Sequence, residues 1–82
     1  MVRFTTPNDK ILITGATGFI GRALVRALTE HHHPVIAASR MLGRAEKILG
    51  EGIELVRWDG LHAVGLRQAV EKADVVVNLA GD

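Results

Sequence analysis

The chain alternates between short apolar runs and segments in which apolar residues recur at helical spacing. The apolar runs have the length and the Ile, Val and Leu content of buried strands, and they cover residues 10–14, 35–39, 53–58 and 74–80. The segment after the first run predicts an amphipathic helix that ends before Pro34, because proline blocks continuation. Its expected buried face consists of Ile20, Ala23, Leu24, Ala27 and Leu28.

Two further helices are predicted from weaker patterns. A short one covers about residues 44–49 and is stopped by Gly50 and Gly52. The next has its apolar face at Leu66, Ala69, Val70 and Ala73. The third strand is more polar than the others, which predicts a position near a sheet edge. Strands that alternate with helices require parallel pairing and right-handed crossovers, so the predicted class is α/β.

Three glycines separate the first strand from the first helix, at Gly15, Gly18 and Gly21. The first permits a tight turn, the second lets the backbone approach a pyrophosphate, and the third lets the helix pack close to the sheet. The helix N-terminus then offers free N–H donors to phosphate groups. A strand-to-helix turn with incidental glycines is the alternative. The candidate contacts of this turn are Gly15, Thr17, Gly18, Phe19, Ile20 and Gly21.

With such a turn, the expected strand order is 3-2-1-4, which corresponds to the first half of a Rossmann sheet. We therefore expect a partial Rossmann fold over residues 10–82, preceded by a flexible lead-in over residues 1–9. The turn does not match a P-loop, which would carry Gly-Lys-Ser/Thr at the helix start, where Phe19-Ile20-Gly21 stands.

The residues after the second strand bear on the choice of cofactor. An acidic residue there would bond the ribose 2′-OH of NAD, whereas this chain has Ser39 and Arg40. A guanidinium forks onto a 2′-phosphate and a hydroxyl adds a donor, so NADP is expected and NAD is disfavoured. Arg44 is a candidate to assist. The alternative for both arginines is a solvated surface position.

Composition narrows the function further. The 82 residues, of which 48% are hydrophobic and 23% charged, are enough for one small globular domain. The formal net charge of +1 argues against nucleic acid and anionic membranes as partners. Cysteine is absent, and three consecutive histidines at a helix end cannot converge on one ion, so no metal site is expected. Without a signal or spanning segment, a cytoplasmic or organelle-matrix location is expected.

The motifs together resemble the extended, atypical short-chain dehydrogenase/reductase superfamily, in its nucleoside-diphosphate-sugar epimerase-like branch. The resemblance rests on Ile13–Gly21, Ser39-Arg40, Trp58-Asp59-Gly60 and the segment from Ala73 to Gly81. It implies that Asp59 bonds the adenine amino group, although Asp59 is equally suited to cap a helix. It also implies that the fourth strand ends beside the cofactor ribose, at Asn78, Leu79, Ala80 and Gly81.

The resemblance also shows what this chain lacks. Superfamily members use a Tyr-x-x-x-Lys pair for proton transfer, and this chain has no tyrosine, so no catalytic residue is assigned. We expect the NADP-binding portion of an epimerase-like oxidoreductase, as a fragment or split gene product. The alternatives are a separate NADP-sensing or partner-binding module without turnover, and a scaffold that has lost the ligand. The fourth strand would lie inside a complete sheet, so self-association or a complementing chain is expected at its edge.

Overall fold

The computed structural model describes residues 9–59 and 63–79 of the chain. Strands and helices alternate through these residues, as predicted. The elements are β1 (Ile11–Thr14), α1 (Phe19–Glu30), β2 (Val35–Ser39), α2 (Leu42–Leu49), β3 (Glu54–Arg57), α3 (Ala63–Lys72) and β4 (Val75–Asn78).

The four strands form one parallel sheet in the order β3-β2-β1-β4. In the two pairings of β1, Ile11 lies opposite Val35 of β2 on one side and Val75 of β4 on the other. The predicted α/β class and the order 3-2-1-4 are confirmed, and the more polar β3 lies at an edge. Each crossover helix covers the sheet because parallel strands need a connection that returns over a sheet face.

Apolar side chains form a layer on each face of the sheet. On one face, Ile11 and Ile13 pack with Val25 of α1. On the other face, Leu12 and Ile36 pack with Ala69 of α3. β1 is buried at every position and β2 at all but its last, which explains why both read as continuous apolar runs rather than alternating ones.

The predicted inner face of α1 is confirmed at Leu24 and Leu28, which are partly buried against the core, and is wrong at its other three residues. Gly21 and Val25 are the buried residues of this helix. Ile20 is 70% exposed, and Ala23 and Ala27 are exposed as well. The spacing of apolar residues does not predict this orientation because glycine is not counted as apolar. In the structure, Gly21 is the residue through which the helix approaches the backbone of Ala16.

The element boundaries differ slightly from those predicted. α2 begins at Leu42, two residues before the predicted start, since Gly43 weakens the helical signal in its first turn. It ends before Gly50, as expected, and both Gly50 and Gly52 have positive φ angles, of 84° and 88°. β1, β3 and β4 each have four residues, whereas the apolar runs that predicted them have five, six and seven.

Charged residues connect the elements at the amino-terminal edge of the sheet. The Lys10 backbone N–H donates to the Asp74 carboxylate at 2.8 Å. Glu54 accepts from the Lys72 ammonium at 3.1 Å and lies 3.6 Å from the Lys10 ammonium. The hydrogen bond from Lys72, with the attraction of both lysines, lowers the pKa of the Glu54 carboxyl despite some desolvation. These contacts lie at the edge opposite the glycine-rich turn.

Candidate dinucleotide-binding site

The predicted site residues that lie within 9–59 and 63–79 are located at, or just after, the carboxyl-terminal edge of the sheet. In the parallel register, Thr14 at the end of β1 lies opposite Ala38 of β2 and Asn78 of β4. Ser39 lies opposite Arg57. The segments that follow the four strands therefore share one edge. From β1 the chain continues to β2 on one side of the sheet, and it later returns to place β4 on the other side of β1. The boundary between β1 and β4 is therefore a topological switch point, where ligands of open α/β sheets bind.

The turn after β1 has the geometry that its glycines predict. Gly15 has a φ of 75°, which strains any residue with a Cβ. The Gly18 N–H donates back to the Gly15 carbonyl at 3.2 Å, which closes the turn. Gly18 is the N-cap of α1 and makes no side-chain cap hydrogen bond, and the first turn of α1 contains no acidic residue. The positive end of the helix dipole therefore lies at this edge without an acidic side chain in its first turn.

Gly18 and Gly21 have different roles in this turn. A Cβ added at Gly21 would lie 2.7 Å from the Ala16 Cα, and this backbone neighbour cannot move aside. A Cβ at Gly18 would lie 3.4 Å from the Gly15 carbonyl oxygen, which is an ordinary contact. Gly21 is therefore required for packing of α1 against the turn. Packing does not require a glycine at position 18, and the expected approach of Gly18 to a pyrophosphate stays a prediction.

The start of α1 exposes two large apolar side chains beside the turn. Phe19 is 77% exposed and Ile20 is 70% exposed, while Thr17 is half-buried. Their proposed contacts with a cofactor stay predictions.

Thr14 and Asn78 join β1 to β4 at the switch point. Thr14 is 2% exposed, and its hydroxyl donates to the Asn78 side-chain oxygen at 2.6 Å. The Leu79 N–H donates to the Thr14 carbonyl at 3.0 Å. These bonds hold the end of β4 against the end of β1, directly before the glycine-rich turn. Sequence reasoning missed Thr14, for which the available signal was a hydroxyl at the end of an otherwise apolar strand. Ala80 and Gly81 lie outside the described residues.

The second candidate group follows β2. Arg40 is exposed directly after the strand, and Arg44 is exposed in the first turn of α2. The Ser39 hydroxyl accepts the Met41 N–H at 3.2 Å, so the residue takes part in a local turn. The structure thus brings Ser39 and Arg40 to the same edge as the glycines.

Asp59 follows β3 at this edge and is exposed. Residues 60–62, which separate it from α3, are outside the described part of the chain. Its roles as an adenine ligand and as a helix cap both stay predictions.

Two negative findings apply to the residues that the structure describes. Within 9–59 and 63–79, no three His, Asp or Glu side chains cluster as a metal site would require. Over the same ranges, no helix has the length and apolar character needed to cross a bilayer.

The fold and the arrangement of this edge define a dinucleotide-binding domain of the Rossmann type. Residues 11–82 match the model of the NAD dependent epimerase/dehydratase family, and the chain belongs to this family. The chain is therefore an NAD(P)-binding domain of the epimerase and reductase class, as the sequence motifs indicated.

Curated relatives include both reductases and epimerase family proteins. The chain is 35% identical over 82 residues to phenylcoumaran benzylic ether reductase Betv6 of Betula pendula, covering 90% of this chain and 27% of the relative. It is 37% identical over 73 residues to epimerase family protein SDR39U1 of Homo sapiens, covering 89% of this chain and 20% of the relative. The chain thus spans about a quarter or less of the length of these relatives.

Solved structures share the fold. A Lactobacillus casei protein superposes with a TM-score of 0.77 at 29% identity, over 89% of this chain and 33% of that one. A UDP-glucose 4-epimerase superposes with a TM-score of 0.73 at 24% identity, over 90% of this chain and 23% of that one. At this level of identity, the second likeness concerns the fold alone.

The different roles of the two glycines can be tested by their alanine variants. We expect Gly21→Ala to lower the free energy of unfolding by about 1–3 kcal/mol or more, because the new methyl group overlaps backbone atoms. Gly18→Ala, at an N-cap position with room for a Cβ, should cost less than about 1 kcal/mol. Urea denaturation followed by circular dichroism measures both values, and equal losses would contradict the assignment.

Proposed function

We propose that this chain binds NADP in preference to NAD, as the cofactor-binding portion of an epimerase-like oxidoreductase. The observation that carries the proposal is the common location of the glycine-rich turn and Arg40 at the carboxyl edge of the sheet. Two of the curated relatives are reductases: the Betula pendula protein described above and, at 36% identity, the 2'-dehydrokanamycin reductase of Streptomyces kanamyceticus. These relatives support an oxidoreductase over a binding module of another class.

The preference for NADP rests on charge at the end of β2. A carboxylate at this position would accept the two ribose hydroxyls of NAD and repel a phosphate, whereas Arg40 offers a forked cationic donor. Arg40 is exposed and makes no ion pair within the described part of the chain, so its guanidinium is available to a ligand. Arg44 is exposed in the first turn of α2, four residues after Arg40, and adds a second positive charge near the start of this helix.

We propose that the chain holds the cofactor without turning it over by itself. Hydride transfer to a carbonyl needs a proton donor in place, and the Tyr-x-x-x-Lys pair that the resemblance implies has no counterpart in these residues. A separate NADP-sensing module is the second candidate, and it is favoured by the same absence of tyrosine.

The cofactor preference is tested with Arg40→Ala. Loss of charge-assisted hydrogen bonds to the 2′-phosphate should weaken NADP by about 1.5–3 kcal/mol, or roughly ten- to a hundredfold. NAD should bind nearly as before, since it has no 2′-phosphate. Calorimetric titration of both cofactors into both proteins gives the four affinities. Gly18→Val is the control, because a branched side chain at the closest approach of the pyrophosphate should abolish both ligands. Equal losses for the two cofactors, or none, would make Arg40 a surface charge only.

The second prediction concerns turnover. The purified chain should show no steady oxidation of NADPH with carbonyl compounds or sugar nucleotides, as followed by absorbance at 340 nm. Sustained turnover, abolished by Gly18→Val, would show that the chain carries its own proton donor and would refute the proposal.

We also propose that β4 takes another strand on the side away from β1, from a second copy or a complementing chain. β4 pairs with β1 on one side, and its other edge meets no strand among residues 9–59 and 63–79. The strand β4 consists of Val75, Val76, Val77 and Asn78, and Val76 is 47% exposed. The edge strand β3, by contrast, carries Glu54 and Arg57, and charged residues discourage strand addition.

This association is measured by analytical ultracentrifugation. We expect dimers or larger species at high micromolar concentration, and Val76→Lys should shift the population toward monomer by placing a charge on the exposed strand. A wild-type chain that sediments as a monomer over the whole range would rule the β4 edge out as an association surface.

A further inference from the structure

We infer that Ser39 is a positioning residue that sets the preference for a 2′-phosphate through Arg40 rather than by touching the phosphate itself. The inference rests on the NADP preference proposed above. It concerns a role for the hydroxyl that differs from the direct phosphate contact expected from the sequence.

The main chain of Ser39 is held by the neighbouring strand. Ser39 is the last residue of β2 and lies opposite Arg57 in the pairing with β3. Its carbonyl accepts the Trp58 N–H at 3.0 Å, one residue beyond the end of β3. Because the pairing with β3 fixes this backbone, Ser39 is an anchored position for whatever its side chain contacts.

The side chain of Ser39 closes a short turn around Arg40. The hydroxyl oxygen accepts the Met41 N–H at 3.2 Å, and the hydroxyl lies 3.5 Å from the Met41 carbonyl oxygen, at the limit of a hydrogen bond. Met41 is the N-cap of α2, and its carbonyl accepts the Ala45 N–H at 3.0 Å. The Ser39 hydroxyl therefore links the end of β2 to the start of α2, with Arg40 between them.

The consequence is that the backbone of Arg40 is fixed, while its cationic side chain is exposed. Residues on both sides of Arg40 are anchored, so its Cα is held at the sheet edge while its side chain stays exposed. A forked guanidinium contact depends on geometry. The apparent affinity is proportional to the fraction of molecules in the competent conformation, so binding weakens when that fraction falls. Removal of the hydroxyl frees the Met41 N–H and lets the turn populate other conformations.

The test uses two half-cofactors that differ only in the phosphate at issue, adenosine 2′,5′-bisphosphate and adenosine 5′-monophosphate. Their affinities are measured by calorimetry for the wild-type chain, Ser39→Ala, Arg40→Ala and the double variant. We expect Ser39→Ala to weaken the bisphosphate by about 2- to 12-fold, the equivalent of one ordinary hydrogen bond, and to leave the monophosphate unchanged. In the Arg40→Ala background, Ser39→Ala should have no further effect on either compound.

Ser39→Thr is the matched control, because threonine keeps the hydroxyl and suits the end of a strand. It should restore the bisphosphate affinity. In the ligand-free chain, hydrogen exchange at the Met41 amide should be faster in Ser39→Ala than in the wild type and should return toward the wild-type rate in Ser39→Thr.

Each other outcome overturns the inference in a recognisable way. If Ser39→Ala weakens the bisphosphate equally with and without Arg40, the hydroxyl is a direct ligand. If both compounds lose affinity together, the hydroxyl has only a general structural role, and if nothing changes, it has no role in binding. If Arg40→Ala itself leaves the bisphosphate affinity unchanged, or if neither compound binds to the wild-type chain, the proposed NADP preference fails, and this inference fails with it.

Discussion

The contact between α1 and the glycine-rich turn determines how the rest of the site is arranged. Gly21 brings the helix so close to Ala16 that no side chain fits between them. This contact sets the rotation of α1, which turns Val25 toward the sheet and leaves Phe19 and Ile20 outward. It also carries the first turn of the helix, with its free N–H groups, to the edge where the strands end. A bulkier helix interface would withdraw those donors from any phosphate.

The two ends of the sheet are specialised for different tasks. At the amino edge, charged side chains satisfy one another, as in the contact between Glu54 and Lys72. At the carboxyl edge, neutral hydroxyls make the hydrogen bonds, between Thr14 and Asn78 and between Met41 and Ser39. The fold therefore does not depend on the charge of Arg40. If Arg40 binds the 2′-phosphate as proposed, its substitution should change the preference between NADP and NAD with little effect on the free energy of unfolding.

Sequence patterns predicted the features that depend on local chemistry. β1 and β2 are buried on both faces, so their continuous apolar runs identified them, and the spacing of Gly15, Gly18 and Gly21 identified the turn. The strand order was predicted from the alternation of elements together with the glycine-rich turn after the first strand. The orientation of α1 could not be predicted in this way, because its closest contact is made by a residue without a side chain.

The roles of individual hydroxyls were also beyond sequence patterns. The partner of Thr14 is 64 residues away in the chain, and only the register of β1 with β4 brings the two together. Ser39 has a partner two residues away, but a serine at a strand end is equally compatible with a solvated hydroxyl or a ligand contact. In both cases the residue type gives the capacity for a hydrogen bond, and tertiary structure selects its partner.

The long separation between β1 and β4 also has a consequence for synthesis on the ribosome. β1 can pair with β2 early, since Ile11 meets Val35, but its second neighbour is separated from it by 64 residues. At roughly 5–20 residues per second, β4 follows β1 by an interval on the order of seconds. During that interval one edge of the most buried strand has no partner strand. The speed of translation between α1 and β4 therefore determines how long the nascent chain is open to capture by chaperones or by other nascent chains.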